Sequence, residues 1–344
     1  MTRRKTVQVR IGNIKIGGTA PVSVQSMTKT DTKDVKATVA QIKRLQNLGC
    51  EIVRLAVKDI PSARAIRQIK PKVKIPIIAD IHFDYKLALE SIAAGCDSVR
   101  INPGNTKNKS GILQIIAACK KKQIPIRIGV NSGSSLTQTP QGLVNLAKKT
   151  IKVFEKEKFY DIIISLKASD VYATISAYRN MAKQCRYPFE LGVTAAGTGY
   201  AGVVKSAIGI GTLLAEGIGD TIRVSLTAEP EEEVIVAKYI LQSLGLRKFY
   251  PDVISCPTCG RCQVDLQKIL SEFNKKLNAS GFARYGLQNK KIALMGCEVN
   301  GPGEAKEADI GIAFGKNSGL LIKNGKIIKK VSAKDSIKEL LKLI

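Results

Sequence analysis

Short runs of β-branched and other apolar residues alternate along the chain with longer segments of helical periodicity. The longer segments, such as VKATVAQIKRLQNLG, place apolar residues at intervals of three and four, which is typical of amphipathic helices. Several of them end at a glycine that suits the first residue beyond a helix, as at Gly49, Gly95 and Gly217. The apolar runs, each of strand length, lie at residues 22–27, 51–57, 75–83, 98–104, 125–131, 161–169, 188–197 and 221–227.

Eight alternations of strand and helix over about 230 residues predict a (β/α)8 barrel of the TIM type. A doubly wound open sheet is the alternative within the α/β class, but it normally carries a glycine-rich turn after its first strand. Here the first strand leads into MTKTDTKD, which contains no glycine. We therefore predict the barrel, with the functional side chains at the C-terminal ends of its strands.

The pattern changes in the last part of the chain. VDLQKILSEFNKKL predicts a helix, KIALMG and ADIGIAF predict strands, and LLIKNGKIIKKV predicts a hairpin that turns at Asn324-Gly325. The sequence thus predicts two domains, a barrel over residues 1–248 and a small α+β domain over residues 249–344. The boundary is expected inside GLRKFYPD.

The chain carries 55 Lys and Arg against 28 Asp and Glu, a net charge of +27. Such an excess suits a nucleic-acid surface, but the lysines are scattered and aromatic residues make up only 5%. We therefore expect no nucleic-acid partner and interpret the lysines as solvated residues that also attract anions. No apolar run approaches the roughly 20 residues of a membrane helix, and the basic N-terminus lacks a secretory apolar segment. These features predict a cytoplasmic protein with no membrane contact.

Charged residues interrupt the predicted barrel strands where a core would favour valine or isoleucine. Because helices cover the outer face of such a barrel, repeated cations must point into its mouth or be buried at high cost. Arginine binds phosphate bidentately, and several together suit a diphosphate. His82 is the only histidine in the chain and is a candidate catalytic residue. The cations are Arg54, Arg100, Arg127, Lys167 and Arg223, and their polar neighbours are Asp80, His82, Asn102, Asn131 and Ser225.

Eight cysteines in a cytoplasmic protein favour metal or redox chemistry over disulfides. Four are isolated in apolar or helical surroundings and are interpreted as small hydrophobic residues. The others are Cys256, Cys259 and Cys262 in SCPTCGRC and Cys297 in MGCEVNGPGE. On this spacing, a zinc site with all four of them as ligands, a redox-active dithiol and an iron–sulfur cluster remain open.

A series of longer strings is similar to a known family. In order along the chain they are VQSMT, ADIHFDY, RINPGN, IRIGVNSGS, SLKASDV, KSAIGIG, EGIGDTIRVSL, SCPTCGR and GCEVNGPGEA. They resemble the 4-hydroxy-3-methylbut-2-enyl diphosphate synthase family of the methylerythritol phosphate route to isoprenoids, in its short two-domain bacterial form. The resemblance implies a [4Fe–4S] cluster held by Cys256, Cys259, Cys297 and Glu304, with Cys262 outside the ligand set.

The resemblance also implies the reaction. The expected activity is reductive ring opening and dehydration of 2-C-methyl-D-erythritol 2,4-cyclodiphosphate to (E)-4-hydroxy-3-methylbut-2-enyl diphosphate. Reduced flavodoxin or ferredoxin would supply the electrons, and the site would be completed head-to-tail in a homodimer. At the matching positions, the five cations and Ser225 would hold the diphosphate. The other polar residues, Asp80, His82, Asn102 and Asn131, would orient the rest of the substrate.

One position departs from the family. The resemblance places an acid/base glutamate at residue 195, in the string LGVTAAGTG, where this chain has Ala195. Because loss of a general acid typically costs about 10²–10⁴-fold in rate, we expect impaired turnover unless water or His82 replaces it. Glu190 lies five residues earlier, and strand alternation predicts that it faces the opposite way.

Two alternatives to this function remain. A barrel of the dihydropteroate synthase type also binds a diphosphate but needs no cysteine-bearing domain. A zinc-bearing basic RNA-binding protein is supported only by the net charge and the cysteine spacing.

Overall fold

The apolar runs form a ring of parallel strands in the computed structural model of the chain, which describes residues 2–105, 108–134, 139–279 and 287–343. The chain divides into two compact units, Met1–Arg247 and Lys248–Ile344. In chain order, the strands of the first unit are β1 (Val9–Ile11), β2 (Ile14–Ile16), β3 (Ser23–Met27), β4 (Ile52–Val57), β5 (Ile77–Ile81), β6 (Ser98–Ile101), β7 (Ile126–Asn131), β8 (Ile162–Lys167), β9 (Glu190–Leu191) and β10 (Thr221–Ile222).

Strands β3 to β10 make up the barrel. Hydrogen bonds join them in the order β8-β7-β6-β5-β4-β3-β10-β9, and a parallel bridge between Ile164 and Phe189 connects the two ends of this series. The predicted barrel of eight parallel strands is therefore confirmed.

The helices between the strands begin and end where the sequence indicates. Six of them begin at a side chain that accepts a backbone N–H of the first turn, as Asp59 does from Ser62. Gly49, Gly95 and Gly217 follow helix ends with positive φ angles of 86°, 95° and 76°. No described helix has the length and apolar character needed to cross a membrane. The helices are α1 (Val35–Asn47), α2 (Ile60–Ile69), α3 (Tyr85–Ala93), α4 (Lys109–Lys122), α5 (Pro140–Lys156), α6 (Val171–Ala182), α7 (Gly199–Ala215) and α8 (Pro230–Ser243).

The first residues of the chain close the N-terminal end of the barrel. The β1–β2 hairpin buries Ile11 and Ile16 against residues near the beginnings of β4, β5 and β8. Arg3 forms an ion pair with Asp220 at 2.9 Å, and the Arg4 N–H donates to the Gly217 carbonyl at 2.9 Å. The C-terminal ends of the strands, where sites of such barrels lie, are on the opposite side from this hairpin.

The second unit is a mixed five-stranded sheet among its described residues. Strands β11 to β13 are parallel, and the remaining pairs are antiparallel. The predicted helix and the Asn324-Gly325 hairpin are confirmed, whereas β11, α10 and α11 were not predicted. The elements are β11 (Asp252–Ser255), α9 (Leu266–Ala279), β12 (Lys291–Met295), α10 (Gly301–Ala305), β13 (Ile310–Phe314), β14 (Ser318–Lys323), β15 (Lys326–Ser332) and α11 (Ser336–Lys342).

Candidate active site

The predicted cations of the barrel strands are brought together inside the barrel. Arg54, Arg100, Arg127 and Lys167 are at most 8% exposed, and Arg223 is half-buried. Arg100 and Arg127 are direct partners in the β6–β7 register, and Lys167 is level with Asn131. The prediction that these cations face inward is therefore correct.

Asp80 forms ion pairs with two of these cations, Arg54 and Arg100. Its carboxylate, on a residue only 2% exposed, lies 3.1 Å from Arg100 Nη1, 3.4 Å from Arg54 Nε and 3.6 Å from His82 Nε2. Burial raises the pKa of Asp80, but Arg54, His82 and Arg100 outweigh this effect and hold the pKa well below its usual range. Asp80 is thus an anion that fixes its cationic neighbours and is not a proton donor.

Glu190 forms ion pairs with two others, Arg127 and Lys167, and was missed as a site residue. It is completely buried, with Lys167 Nζ at 2.7 Å from Oε1 and Arg127 Nη2 at 3.4 Å from Oε2. Burial acts to raise the pKa of Glu190, but the positive charges of Arg127 and Lys167 outweigh this effect and lower the pKa to about 2. Burial lowers the pKa of Lys167 to about 7, although Glu190 acts to raise it.

Two glycines make room for the long cationic side chains. The strings PIRIGV and PFELGV place Gly129 two residues after Arg127, on the same face of β7, and Gly192 two residues after Glu190, directly beyond β9. A Cβ at Gly129 would lie 2.3 Å from Arg100 Nε, and a Cβ at Gly192 would lie 2.8 Å from Lys167 Nζ. Each pair of charged residue and glycine therefore creates space that a cation from a neighbouring strand occupies.

The buried cluster of these five cations with Asp80 and Glu190, called the pocket below, has more donors than its own carboxylates accept. In the described part of the chain, Arg100 Nε, Arg127 Nε and Nη1, and Arg223 Nε are buried without a hydrogen-bond partner. Buried donors without partners are costly, and Asp80 and Glu190 do not neutralise five cations. The pocket is therefore complementary to a multiply charged anion.

The uncharged predicted residues end or follow barrel strands at their C-terminal ends. Asn102 is buried, and its side-chain oxygen accepts the Gly104 N–H at 3.1 Å. Asn131 ends β7, and Ser225 lies beyond β10; both are half-buried. His82 remains accessible, with a side chain that is 45% exposed.

Residue 195 lies in a turn at the same end of the barrel. Ala195 is exposed and has a φ angle of 51°, a left-handed conformation that costs an alanine about 1 kcal/mol. The alternation argument about Glu190 does not apply, because β9 ends at Leu191 and residue 195 is not in a strand. Glu190 instead faces the interior cations, and these hold it ionised.

The clustered cysteines lie in loops at one edge of the second sheet. Cys256 directly follows β11, and the Gly296 N–H after the neighbouring strand β12 donates to its Sγ at 3.2 Å. Cys259 is exposed. The Cys262 thiol donates to the Val264 carbonyl at 3.2 Å and packs so closely that a Cβ at Gly296 would lie 2.3 Å from it.

Cys297 and Glu304 flank the beginning of α10. The backbone N–H groups of Asn300 and Val299 lower the pKa of Cys297, which favours its thiolate form, and Glu304 is exposed. Within the described ranges, no group of three or more His, Cys, Asp or Glu side chains is close enough to hold a metal ion. Cys256 and Cys297 thus follow neighbouring parallel strands, but among the described residues the proposed ligands are not gathered into a coordination shell.

The isolated cysteines have a different environment. Cys50, Cys96 and Cys119 are buried in the barrel unit, and burial raises the pKa of both Cys50 and Cys96 to about 12. These thiols are therefore inert core residues, as the sequence indicated.

Comparison with known proteins extends over both units. A family model for the GcpE TIM-barrel domain matches residues 6–238, and one for the GcpE protein C-terminal domain matches residues 252–344. The 4-hydroxy-3-methylbut-2-en-1-yl diphosphate synthase (flavodoxin) of Clostridium perfringens is 53% identical, over 100% of this chain and 99% of its own length. The protein of the same name from Ruminiclostridium cellulolyticum is 51% identical, over 99% and 98% of the two chains.

Two solved structures resemble this chain over about 70% of its length. A dihydropteroate synthase of Xanthomonas albilineans superposes with a TM-score of 0.51 and 12% identity, over 70% of this chain and 98% of its own. A 3-dehydroquinate dehydratase of Geobacillus kaustophilus superposes with a TM-score of 0.51 and 14% identity, over 70% of this chain and 99% of its own. At such identities the similarity concerns the fold, whereas the family models and the full-length relatives decide membership: this chain belongs to the GcpE family of 4-hydroxy-3-methylbut-2-en-1-yl diphosphate synthases.

Proposed function

We propose that this chain converts 2-C-methyl-D-erythritol 2,4-cyclodiphosphate into (E)-4-hydroxy-3-methylbut-2-enyl diphosphate. Two electrons and two protons are consumed, one ring carbon–oxygen bond breaks, and one hydroxyl leaves as water. The observation that carries this proposal is the buried cluster of cations with unpaired arginine donors, in a barrel of this family. Family membership favours this function over the dihydropteroate synthase and RNA-binding alternatives.

The barrel residues bind and orient the substrate in this proposal. The unpaired N–H groups of Arg100, Arg127 and Arg223 donate to the diphosphate oxygens. Asp80 holds Arg54 and Arg100 in place, so that little order has to be gained when the ligand binds. The remaining contacts come from Lys167, Ser225, His82, Asn102 and Asn131.

The domain over residues 249–344 would hold a [4Fe–4S] cluster through Cys256, Cys259, Cys297 and Glu304. When bound, this group supplies electrons one at a time. The donor set fits, because the Cys256 thiol already accepts a backbone N–H and the loop after Cys297 favours a thiolate. Thiolates are the usual cluster ligands, and the weaker carboxylate ligand leaves one corner exchangeable.

The proposed partners follow from the charge and from the relatives. Flavodoxin appears in the names of the relatives and is the proposed electron donor, with ferredoxin as the substitute. Such carriers are acidic, and a net charge of +27 attracts them. We further propose a cytoplasmic homodimer that does not bind nucleic acid.

Anaerobic turnover tests this function. Protein purified without oxygen is expected to be brown, to contain iron and sulfide, and to form the diphosphate product slowly when reduced flavodoxin is supplied. An Arg127→Met variant with the same iron content is the control, and it should bind no substrate. Colourless protein that contains zinc and yields no product would contradict the proposal.

Gly129→Ala tests the packing of the cations. The added Cβ would lie 2.3 Å from Arg100 Nε and force this side chain away from Asp80 and from the Gly129 carbonyl, which it now reaches at 3.0 Å. Losing one charge-assisted contact should weaken pyrophosphate binding about tenfold or more, measured by calorimetry. Gly211→Ala is the control, because a Cβ there meets nothing within 4 Å. Equal affinity in Gly129→Ala would contradict the proposed role of Arg100.

A further inference from the structure

Glu190 is a completely buried carboxylate for which the reaction described above has no use. It accepts a hydrogen bond from Lys167 and lies 3.4 Å from one end of the Arg127 guanidinium. An unpaired buried charge is strongly destabilising, so part of its role is to offset the charge of these cations. A carboxylate inside an anion-binding pocket also repels the ligand and so lowers its affinity. Glu190 must therefore contribute to the site in another way.

The geometry around Glu190 indicates what this contribution is. The nearest approach of Arg127 to Glu190 is the ion pair of Nη2 with Oε2 at 3.4 Å, while Arg127 Nε and Nη1 are buried without a hydrogen-bond partner among the described residues. Lys167 extends across the space above Gly192, where a Cβ would lie 2.8 Å from its Nζ. One carboxylate therefore fixes the direction of two long side chains and leaves the remaining Arg127 donors for a ligand.

We propose that Glu190 is a positioning residue that aims Lys167 and Arg127 at the diphosphate group of the substrate. This inference rests on the function proposed above and adds a residue to the same site. Glu190 donates no proton, because its two partners hold it ionised. Its contribution is to order the cations before the ligand arrives, which lowers the entropy that binding has to offset.

The test is the affinity of Glu190→Gln for inorganic pyrophosphate, measured by calorimetry at a series of pH values. Glutamine keeps the size of the side chain but removes the charge that orders Lys167 and Arg127. We expect binding about 10–100-fold weaker than in the unaltered chain, the usual range for loss of a charge-assisted hydrogen bond. If Glu190 only repelled the ligand, the variant would bind pyrophosphate more tightly.

The pH dependence separates positioning from a loss of stability. Lys167 binds an anion only when protonated, and its pKa of about 7 is supported by Glu190. Removing Glu190 lowers this pKa further, so the variant should lose affinity at a lower pH than the unaltered chain does. The charged groups that face Lys167 are Glu190, Arg127, Arg223 and Arg54.

Two further variants complete the experiment. Glu190→Asp keeps the charge but is one methylene shorter, so it should weaken binding only several-fold. It should also leave unchanged the pH above which pyrophosphate affinity is lost, called the pH limit of binding below. Asp97→Asn is the control, because Asp97 pairs with Lys70 and accepts the Ile77 N–H at the other end of the strands. It should alter the melting temperature without affecting the pH limit of binding.

Several outcomes would overturn the inference. Unchanged or tighter pyrophosphate binding in Glu190→Gln does so, as does an unchanged pH limit. If Glu190→Gln does not fold, pyrophosphate affinity in Glu190→Asp equal to that of the unaltered chain would also overturn the inference. A chain that binds pyrophosphate as expected but never reduces the cyclodiphosphate contradicts the proposed function alone, whereas a chain that binds no pyrophosphate contradicts both.

Discussion

Replacing Ala195 by glutamate is expected to accelerate turnover of the cyclodiphosphate by about 10²–10⁴-fold, the usual contribution of a general acid. The backbone at this position already has the left-handed conformation, with a φ angle of 51°. The exposed side chain can therefore be exchanged without repacking the barrel. Because the cations proposed to bind the diphosphate lie on the barrel strands and residue 195 lies in a turn, pyrophosphate affinity should change little.

The other carboxylates of the pocket cannot replace this acid. Arg127 and Lys167 lower the pKa of Glu190 to about 2 despite its burial, and Asp80 is also held ionised by its neighbours. His82 is accessible, but its Nε2 lies beside the Asp80 carboxylate. The chain as it stands is therefore expected to bind substrate well and to turn it over slowly.

Two matched variants make this prediction specific. Ala195→Gln has the shape of glutamate without an acidic proton, and it should remain as slow as the unaltered chain. Ala195→Gly should raise the free energy of unfolding by at most about 1 kcal/mol, because glycine adopts positive φ without strain. Anaerobic kinetics with product detection by NMR distinguish these cases. If glutamine accelerates the reaction as much as glutamate, or if the alanine chain is already fast, the acid lies elsewhere.

The second large effect is expected in the iron content of two cysteine variants. Cys259→Ala is expected to reduce bound iron and sulfide to background, whereas Cys262→Ala should retain a full cluster. The two cysteines are three residues apart but differ in environment. Cys259 is exposed, while the Cys262 thiol bonds to the Val264 carbonyl and packs against Gly296.

The variant that keeps its iron, Cys262→Ala, should be the less stable of the two when the cluster is absent. Losing the packed thiol of Cys262 should lower the free energy of unfolding of the cluster-free protein by about 1 kcal/mol. Losing the exposed thiol of Cys259 should have almost no effect on it. Loss of iron in Cys262→Ala together with retention in Cys259→Ala would reassign the ligands.

The barrel could be predicted from sequence because each strand is a β-branched run followed by a helical segment and, in several cases, a capping glycine. The inward direction of Arg127 and Lys167 followed from the helices that cover the outer face. Glu190 could have been recognised, since PFELGV repeats the pattern of PIRIGV with the opposite charge. Its direction was predicted wrongly because strand alternation does not continue past Leu191, where the strand ends.

Other features carry too little local signal. The β1 and β2 strands have three residues each, which is shorter than a periodic pattern can define. Helix α10 has five residues and begins at a Gly-Pro-Gly string that favours a loop. These elements exist because of tertiary contacts, so only the folded chain reveals them.

The position of the first residues has a consequence for synthesis on the ribosome. Arg3 and Arg4 bind to Asp220, Gly217 and Cys185, so these residues are held by groups that lie 181 to 217 residues later in the chain. Contacts of such long sequence separation form slowly, since loop closure must precede them. In the emerging chain, Arg3 therefore has an early partner in the Ala20 carbonyl, whereas Asp220 and the Gly217 carbonyl become available only near the end of barrel synthesis. Chaperone binding to the nascent chain should accordingly fall in stages, first when residues 185–187 have left the tunnel and again when residues 217–220 have done so.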